Sequence, residues 1–359
     1  MKRQPQARID LAALRHNLAC ARRAAPHSRI MAVVKANGYG HDLLRVANTL
    51  QPGCDGFAVA RAAEGVSLRE AGIQLPITVL EGFSDEEELA ALAHHQLHAV
   101  LHHRHQIELL SAQPLPRPLA CWLKIDSGMH RLGLPPEQVA AAAAHLATLP
   151  WVAPQVGYMS HLACADDLND PMTEQQLARF RALVPANARC SLANSAALLG
   201  WPATHGDWVR PGILLYGVSP FLHHQGGEHD LRPVMTLTTR LIAINQIASG
   251  EPIGYGASWR TPEPMPIGVA AIGYGDGYPR HAPSGTPTLL NGRIAPLVGR
   301  VSMDMITLDL RHHPDARIGD RVTLWGEGLP IEQVASQAGT IAYELLCGVT
   351  RRVVMEFFG

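Results

Sequence analysis

Ala32-Val33-Val34-Lys35-Ala36-Asn37-Gly38-Tyr39-Gly40-His41 closes an apolar run begun at Ile30 with one lysine, then a glycine-rich turn carrying an aromatic hydroxyl. An unbroken apolar run of this kind suits a strand buried on both faces, as in a parallel sheet. Parallel sheets keep their chemistry at the C-terminal ends of their strands, which is where Lys35 falls. A lysine there is partly desolvated, which favours the neutral amine that a Schiff base needs. The competing reading is a lysine that carries its ammonium from a strand end to solvent. The flanking sequence has to decide between them.

From residue 10 to about 216 the same beat recurs. Asp10 can cap a helix through about Arg23. Strand-like segments follow at 30–34, 56–60, 77–80, 98–101, 120–125, 155–161, 189–193 and 207–210. Helix-like stretches between them include 61–72, 85–95, 135–147 and 172–184. Eight strands separated by helices predict an α/β protein with an N-terminal (β/α)8 TIM-like barrel over 10–232. An open doubly wound sheet is the alternative, but no Gly-x-Gly-x-x-Gly follows the first strand. After about Pro233 helical periodicity fades. Apolar β-type runs at 236–247, 267–273, 287–290, 294–309 and 321–325 are divided by glycine and proline turns. They predict a mostly-β C-terminal domain over 233–359, with a short helix at about 330–337. Tyr343 to Val349 fits either class.

Composition narrows the function. The chain has 359 residues, 47% hydrophobic and 17% charged, enough for two globular domains. A net charge of -1 gives no electrostatic case for nucleic acid or an anionic membrane. Histidines cluster at His94-His95, His102-His103-His105 and His223-His224, but without cysteine-backed zinc spacing, so no metal site is expected. The six cysteines are scattered with no C-x-x-C pair, which fits a reducing compartment. Lys2 and Arg3 are not followed by an apolar stretch, and no run is long enough to span a bilayer. A cytoplasmic protein is expected.

Reading the strand ends in order gives Lys35, then Lys124-Ile125-Asp126-Ser127-Gly128-Met129-His130-Arg131, His161, Asn194-Ser195, and Arg210-Pro211-Gly212-Ile213. Barrels often bind phosphate on the loops after strands seven and eight, which Asn194-Ser195-Ala196 and Gly212-Ile213 occupy. Singly, Asn-Ser is a common helix cap and Arg-Pro-Gly a common turn. Together with a strand-end lysine they meet the minimal demand of pyridoxal phosphate. If Arg210 faces the pyridine nitrogen it can only donate, because guanidinium keeps its proton. The ring nitrogen would stay unprotonated and the cofactor would be a weaker electron sink, which suits a carbanion reprotonated quickly. A structural arginine in a salt bridge is the alternative.

The segments AVVKANGYGH (32–41), LKIDSGMHRLG (123–133), SHLACADD (160–167), VRPGILLYG (209–217), GYGASW (254–259), GYGDGYPR (273–280) and VGRVSMDM (298–305) resemble those of alanine racemases. These are fold-type III enzymes that depend on pyridoxal phosphate. The match runs in order from Ala7-Arg8-Ile9-Asp10 to about Val353.

The resemblance implies roles. Lys35 would hold the cofactor and, once freed, serve D-alanine, while Tyr255 would be the second base, serving L-alanine on the opposite face. Inversion of a stereocentre asks for two such bases. A tyrosine with an ordinary pKa near 10 needs help to act as phenolate, and His161 and Arg131 are candidates to give it. Arg131 and the backbone N–H of Met303 would bind the substrate carboxylate. Tyr39, Asn194, Ser195, Gly212 and Ile213 would hold the cofactor with Arg210 and His161, and Tyr274 would narrow the entry. Tyr255, Tyr274 and Met303 would come from the partner of a homodimer, and residues 1–9 would pair with the β domain. The product would be D-alanine for peptidoglycan, or the enzyme would serve alanine catabolism.

Some positions depart from the pattern. Where many relatives have a phosphate-contacting tyrosine near the C-terminus, this chain reads Thr350-Arg351-Arg352, and Arg351 takes that place. Ser302 stands where some relatives have cysteine, and Lys124 matches a position carbamylated in some members. Rivals fit less of the chain. A non-catalytic barrel of this kind would end near residue 232, a related decarboxylase would need a β-domain cysteine pattern absent here, and broad-specificity racemases are often exported.

Overall fold

The computed structural model describes residues 4–359, so Lys2 and Arg3, and the first part of the expected 1–9 pairing, lie outside the described residues. β1 (Gln6–Asp10) leads into a helix, Leu11–Ala24, whose first turn is capped by Asp10, with Oδ1 accepting the Ala13 N–H at 2.9 Å. Eight short parallel strands then close on themselves: β2 (Arg29–Val33), β3 (Gly56–Val59), β4 (Ile77–Val79), β5 (His98–Leu101), β6 (Cys121–Lys124), β7 (Gly157–Met159), β8 (Cys190–Ser191) and β9 (Trp208–Val209). β9 pairs with β2 through Arg29↔Trp208 and Ile30↔Val209, so no edge remains. Ile30 to Val33, all of β3 and all of β4 are buried, as a sheet covered on both faces requires.

The β-rich part is built on β10 (Met235–Ile247), a 13-residue strand long enough to serve several partners. The remaining strands are β11 (Pro252–Ile253), β12 (Trp259–Arg260), β13 (Met265–Ala270), β14 (Leu289–Leu290), β15 (Arg293–Ile294), β16 (Leu297–Val298), β17 (Ile306–Asp309), β18 (Arg321–Trp325) and β19 (Val354–Phe358). The sheet runs β15-β14-β18-β10-β13-β17-β16, with β1 antiparallel to β10 and parallel to β19. β11 and β12 form a separate hairpin. Ile253, Met265, Ile267 and Val298 make one apolar cluster, and Tyr278 stacks on Trp325 at 6.3 Å.

The chain divides into two compact units: residues up to Leu14 with Tyr216–Val218 and His223–Gly359, and Arg15–Leu215 with Ser219–Leu222. Several element bounds differ from the sequence expectation. The apolar run 294–309 is three short strands, because Pro296 and the left-handed Gly299 (φ 73) break it. The run 267–273 leaves the sheet after Ala270, and Tyr343–Val349 is resolved as the helix Ala342–Gly348. Helices Leu43–Leu50 and Arg104–Ala112 add to those expected in the barrel.

Candidate active site

β2 stops at Val33, and Lys35 begins a turn of unusual hand. Ala36 (φ 54), Asn37 (φ 55), Gly38 (φ 62), Tyr39 (φ 51) and Gly40 (φ 80) are consecutive left-handed residues. Each non-glycine member of such a turn costs about 1–2 kcal/mol, so it survives only if its surroundings hold it. Three side chains do. Asn37 Oδ1 accepts the Leu43 N–H at 2.9 Å, Glu64 Oε1 accepts the Ala36 N–H at 2.7 Å, and the His41 ring donates from Nδ1 to the Tyr39 carbonyl at 2.8 Å. His41 is fully buried, and desolvation pulls its pKa down to about 4, so it is neutral with its proton on Nδ1.

The turn delivers Tyr39 to the loop after β9. A Cβ added at Gly212 would lie 2.6 Å from the Tyr39 hydroxyl, so any other residue there would push Tyr39 out of its place. The Gly212 N–H donates to Ser195 Oγ at 2.8 Å, which brings Tyr39, Ser195 and Gly212 together. Asn194 is adjacent but occupied: its Oδ1 caps the helix Ser195–Gly200 through the Ala197 N–H at 3.0 Å. Ile213 opens a buried 3-10 turn just beyond.

Arg210 is 5% exposed, and no carboxylate among the described residues pairs with it. It donates instead to Ser191 Oγ (2.6 Å), the Ser160 carbonyl (2.6 Å) and the Leu192 carbonyl (3.3 Å), and lies 3.5 Å from His161 Nδ1. Desolvation lowers its pKa to about 10, still a cation at neutral pH. Because guanidinium only donates, His161 Nδ1 faces it with a lone pair, and the proton sits on Nε2. Burial, then Arg210, Lys124, Arg131 and Lys35, hold His161 well below the usual histidine range. Lys124, last residue of β6, is pulled down to about 8 by burial, then by Arg210, Arg131 and Lys35. The strand ends therefore surround one neutral imidazole with four basic groups, an environment that favours bound anions.

The loop carrying Arg131 is set by Asp126. Burial raises the pKa of that carboxyl, but hydrogen bonds from the His130 and Gly128 N–H groups outweigh it and the net shift is downward. Behind it, buried Gln176 donates to the His161 carbonyl at 3.0 Å and to Ser127 Oγ at 3.2 Å. Arg131 itself is exposed.

The remaining expected residues fall in the β-rich unit. Tyr255 occupies the tip of the β11–β12 hairpin, 67% exposed, between Gly254 (φ 71) and Gly256 (φ 72). Tyr274 and Met303 are zipped together, with the Tyr274 N–H donating to the Ser302 carbonyl (3.0 Å) and the Gly275 N–H to the Met303 carbonyl (2.9 Å). The Arg280 guanidinium lies 6.0 Å over the Tyr274 ring. Arg351 is exposed beside this turn, and Thr350 is tied to it by its N–H to the Asp276 carbonyl (3.1 Å). Arg352 makes the ion pairs here, with Asp276 at 3.1 Å and Asp304 at 2.6 Å.

Comparison with known proteins settles the family. Residues 9–220 match the alanine racemase N-terminal domain model and residues 234–357 the alanine racemase C-terminal domain model. The chain belongs to the alanine racemase family. It is similar to an alanine racemase of Nitrosococcus oceani, 56% identical over 97% of this chain and 98% of that one. A crystal structure of a biosynthetic alanine racemase from Pseudomonas aeruginosa superposes with a TM-score of 0.97 at 46% identity, covering 99% and 100% of the two chains. The Bartonella henselae alanine racemase with covalently bound pyridoxal phosphate matches at a TM-score of 0.89 and 29% identity, covering 99% of each chain. The chain is therefore an enzyme, an amino-acid racemase of the isomerase class.

The sequence assigns no role to Glu64, Gln176 or Ser191, and it shows Ser160 and Arg352 only as members of longer segments. The chain has three lysines, Lys2, Lys35 and Lys124, and the last two stand at barrel strand ends. A cavity of about 500 Å³ opens at the other mouth of the barrel, lined by His27, Arg29, Arg189 and Trp208, with none of the strand-end residues in its lining. That mouth is the N-terminal face of the barrel strands, opposite the face where barrels of this kind keep their chemistry.

Proposed function

We propose that the chain interconverts L- and D-alanine with pyridoxal 5'-phosphate, using Lys35 and Tyr255 as bases on opposite faces of the substrate. The observation that carries this is Arg210, a buried cation with no carboxylate partner among the described residues, beside a neutral His161, with Tyr39, Ser195 and Gly212 gathered on the loops after β2, β8 and β9. The donor set fits the cofactor. Hydroxyls of Tyr39 and Ser195 and the backbone at Gly212 and Ile213 would hold its phosphate, in an electropositive setting that suits a dianion. Lys35 would attach it. Pyridoxal phosphate supplies an electron sink for the charge left when the substrate's Cα–H ionises.

The chain's own groups do the rest. Lys35 Nζ would take or return the Cα proton for D-alanine and Tyr255 Oη for L-alanine. Arg210 would donate a hydrogen bond to the pyridine nitrogen without giving up its proton, so that nitrogen stays unprotonated and the charge is not drawn away from Cα. Arg131 and the Met303 N–H would orient the carboxylate, and His161 with Arg131 would support the phenolate of Tyr255. Tyr274, braced by Arg280, would limit the side chain to a methyl group.

Tyr255, Tyr274 and Met303 are exposed by 67%, 40% and 52% in the single chain. We infer that they complete the site of a second copy in a homodimer of cytoplasmic enzyme. Its product would serve peptidoglycan synthesis or alanine catabolism.

Borohydride reduction of protein incubated with pyridoxal phosphate should label Lys35 among the three lysines, and L-alanine should give D-alanine. No label on Lys35, or equal turnover of alanine, serine, lysine and arginine, would remove the reading.

A further inference from the structure

The carboxylate of Glu64 bridges the ends of two neighbouring strands. Oε2 accepts the N–H groups of Ala60 (2.9 Å) and Arg61 (3.3 Å) at the start of the helix Ala62–Glu70. That half is a local capping arrangement and needs no further role. Oε1 does something the helix does not require: it accepts the Ala36 N–H, 28 residues away in sequence, at 2.7 Å. Ala36 directly follows Lys35 and is the first left-handed residue of the turn. Alanine has no polar side chain with which to support that conformation, unlike the Asn37 that follows it. A short hydrogen bond to an ionised carboxylate is among the stronger single contacts available to a backbone N–H. Glu64 is half-buried and Ala36 exposed, so the contact holds at the rim of the strand ends, where its short length and the carboxylate acceptor give it its strength.

We propose that Glu64 is a positioning residue for Lys35. By fixing the Ala36 N–H to the end of β3 it holds the left-handed turn in place, and the turn in its turn aims Lys35 and carries Tyr39 to Gly212. The structural half of this stands on the geometry alone. Its consequence for turnover rests on the function proposed above.

The test uses the full chain without added cofactor, followed by amide hydrogen exchange at 35–41 and at 60–66, together with the melting temperature. Glu64→Gln presents one acceptor and one amide donor, so it cannot satisfy both segments. Glu64→Asp keeps the charge but loses a methylene of reach. Both should speed exchange over 35–41 by about tenfold or more, the size expected when one strong contact is lost. Adding Ala36→Gly to either should restore protection there, because glycine takes positive φ without a Cβ clash. A residue that merely caps its helix would change exchange at 60–66 and gain nothing from Ala36→Gly. Unchanged exchange at 35–41, or a loss that Ala36→Gly does not repair, overturns the proposal. If Glu64→Gln does not fold, Glu64→Asp with and without Ala36→Gly gives the same decision.

With cofactor and alanine, the loosened variants should lose kcat with KM little changed, and Ala36→Gly should recover it. A loosened turn with normal kcat also overturns the positioning role. Wild-type protein that does not turn over alanine at all would instead overturn the proposed function and leave the exchange result standing.

Discussion

At the residue scale the site separates groups by the proton each can hold. Arg210 stays charged although buried, and His161 stays neutral although among cations. Neither exchanges a proton readily near neutrality, which is compatible with the proposal that Lys35 and Tyr255 carry the transfers. Tyr255→Phe is expected to slow Cα proton exchange from L-alanine in deuterium oxide by about 10²–10⁴-fold, the usual worth of one general base. Exchange from D-alanine and binding of the cofactor should survive. Equal losses on both enantiomers, read by NMR, would count against the assignment. Gly212→Ala places a methyl group about where the Tyr39 hydroxyl lies, so Tyr39 must move. Cofactor affinity of the apo chain should fall by about tenfold or more, roughly 1.4 kcal/mol, in a fluorescence titration. An unchanged affinity would mean that Tyr39 takes no part in holding the phosphate.

At the scale of elements, the barrel stores its buried histidines neutral. His41 in the turn and His98 at the head of β5 both have pKa values pulled from 6.5 to about 4 by desolvation, with Arg189 and Arg69 adding to the effect at His98. A histidine lowered on folding takes up protons in the unfolded chain first. Stability is therefore flat above about pH 7 and falls as pH drops from about 6.5 towards 4. Each histidine should cost about 2 kcal/mol at pH 5 relative to pH 7.5. Urea denaturation at the two pH values measures it, with His98→Gln removing one share. A stability independent of pH over that window would show that these rings protonate without penalty. The same elements show what the sequence made legible. β2 is readable because a buried parallel strand leaves an unbroken apolar run, and Lys35 can be placed because such a run has an end, while the segments of β7, β8 and β9 carry polar residues and rest on the repeating strand–helix beat. The turn after it was not readable as left-handed, since Ala36 and Asn37 carry no periodic mark of their φ, and its hold on Glu64 spans 28 residues. The 294–309 run misled for a related reason: apolar periodicity continues across Pro296 and Gly299, while the backbone does not.

At the scale of the whole molecule, the proposed mechanism turns on which chain supplies the second base. The proposed function makes Tyr255 a residue of the partner's site, and its 67% exposure in the single chain is what that proposal requires. Exposed Tyr274, Met303 and Met305 add apolar surface that a two-fold interface would cover. Sharing of this kind has a consequence that a self-contained site lacks. Suppose Lys35→Ala chains and Tyr255→Phe chains, each nearly inactive as homodimers, are mixed and refolded together. In a hybrid dimer with crossed sites, one site carries both substitutions and the other carries neither. The hybrid, isolated through two different affinity tags, should then regain about half the activity of the wild-type dimer, because a two-fold assembly has two sites and one is intact. If each chain completes its own site, every site in the hybrid carries one substitution and no activity returns. Sedimentation at the assay concentration must show the dimer. A monomer that racemises alanine would refute the shared site directly.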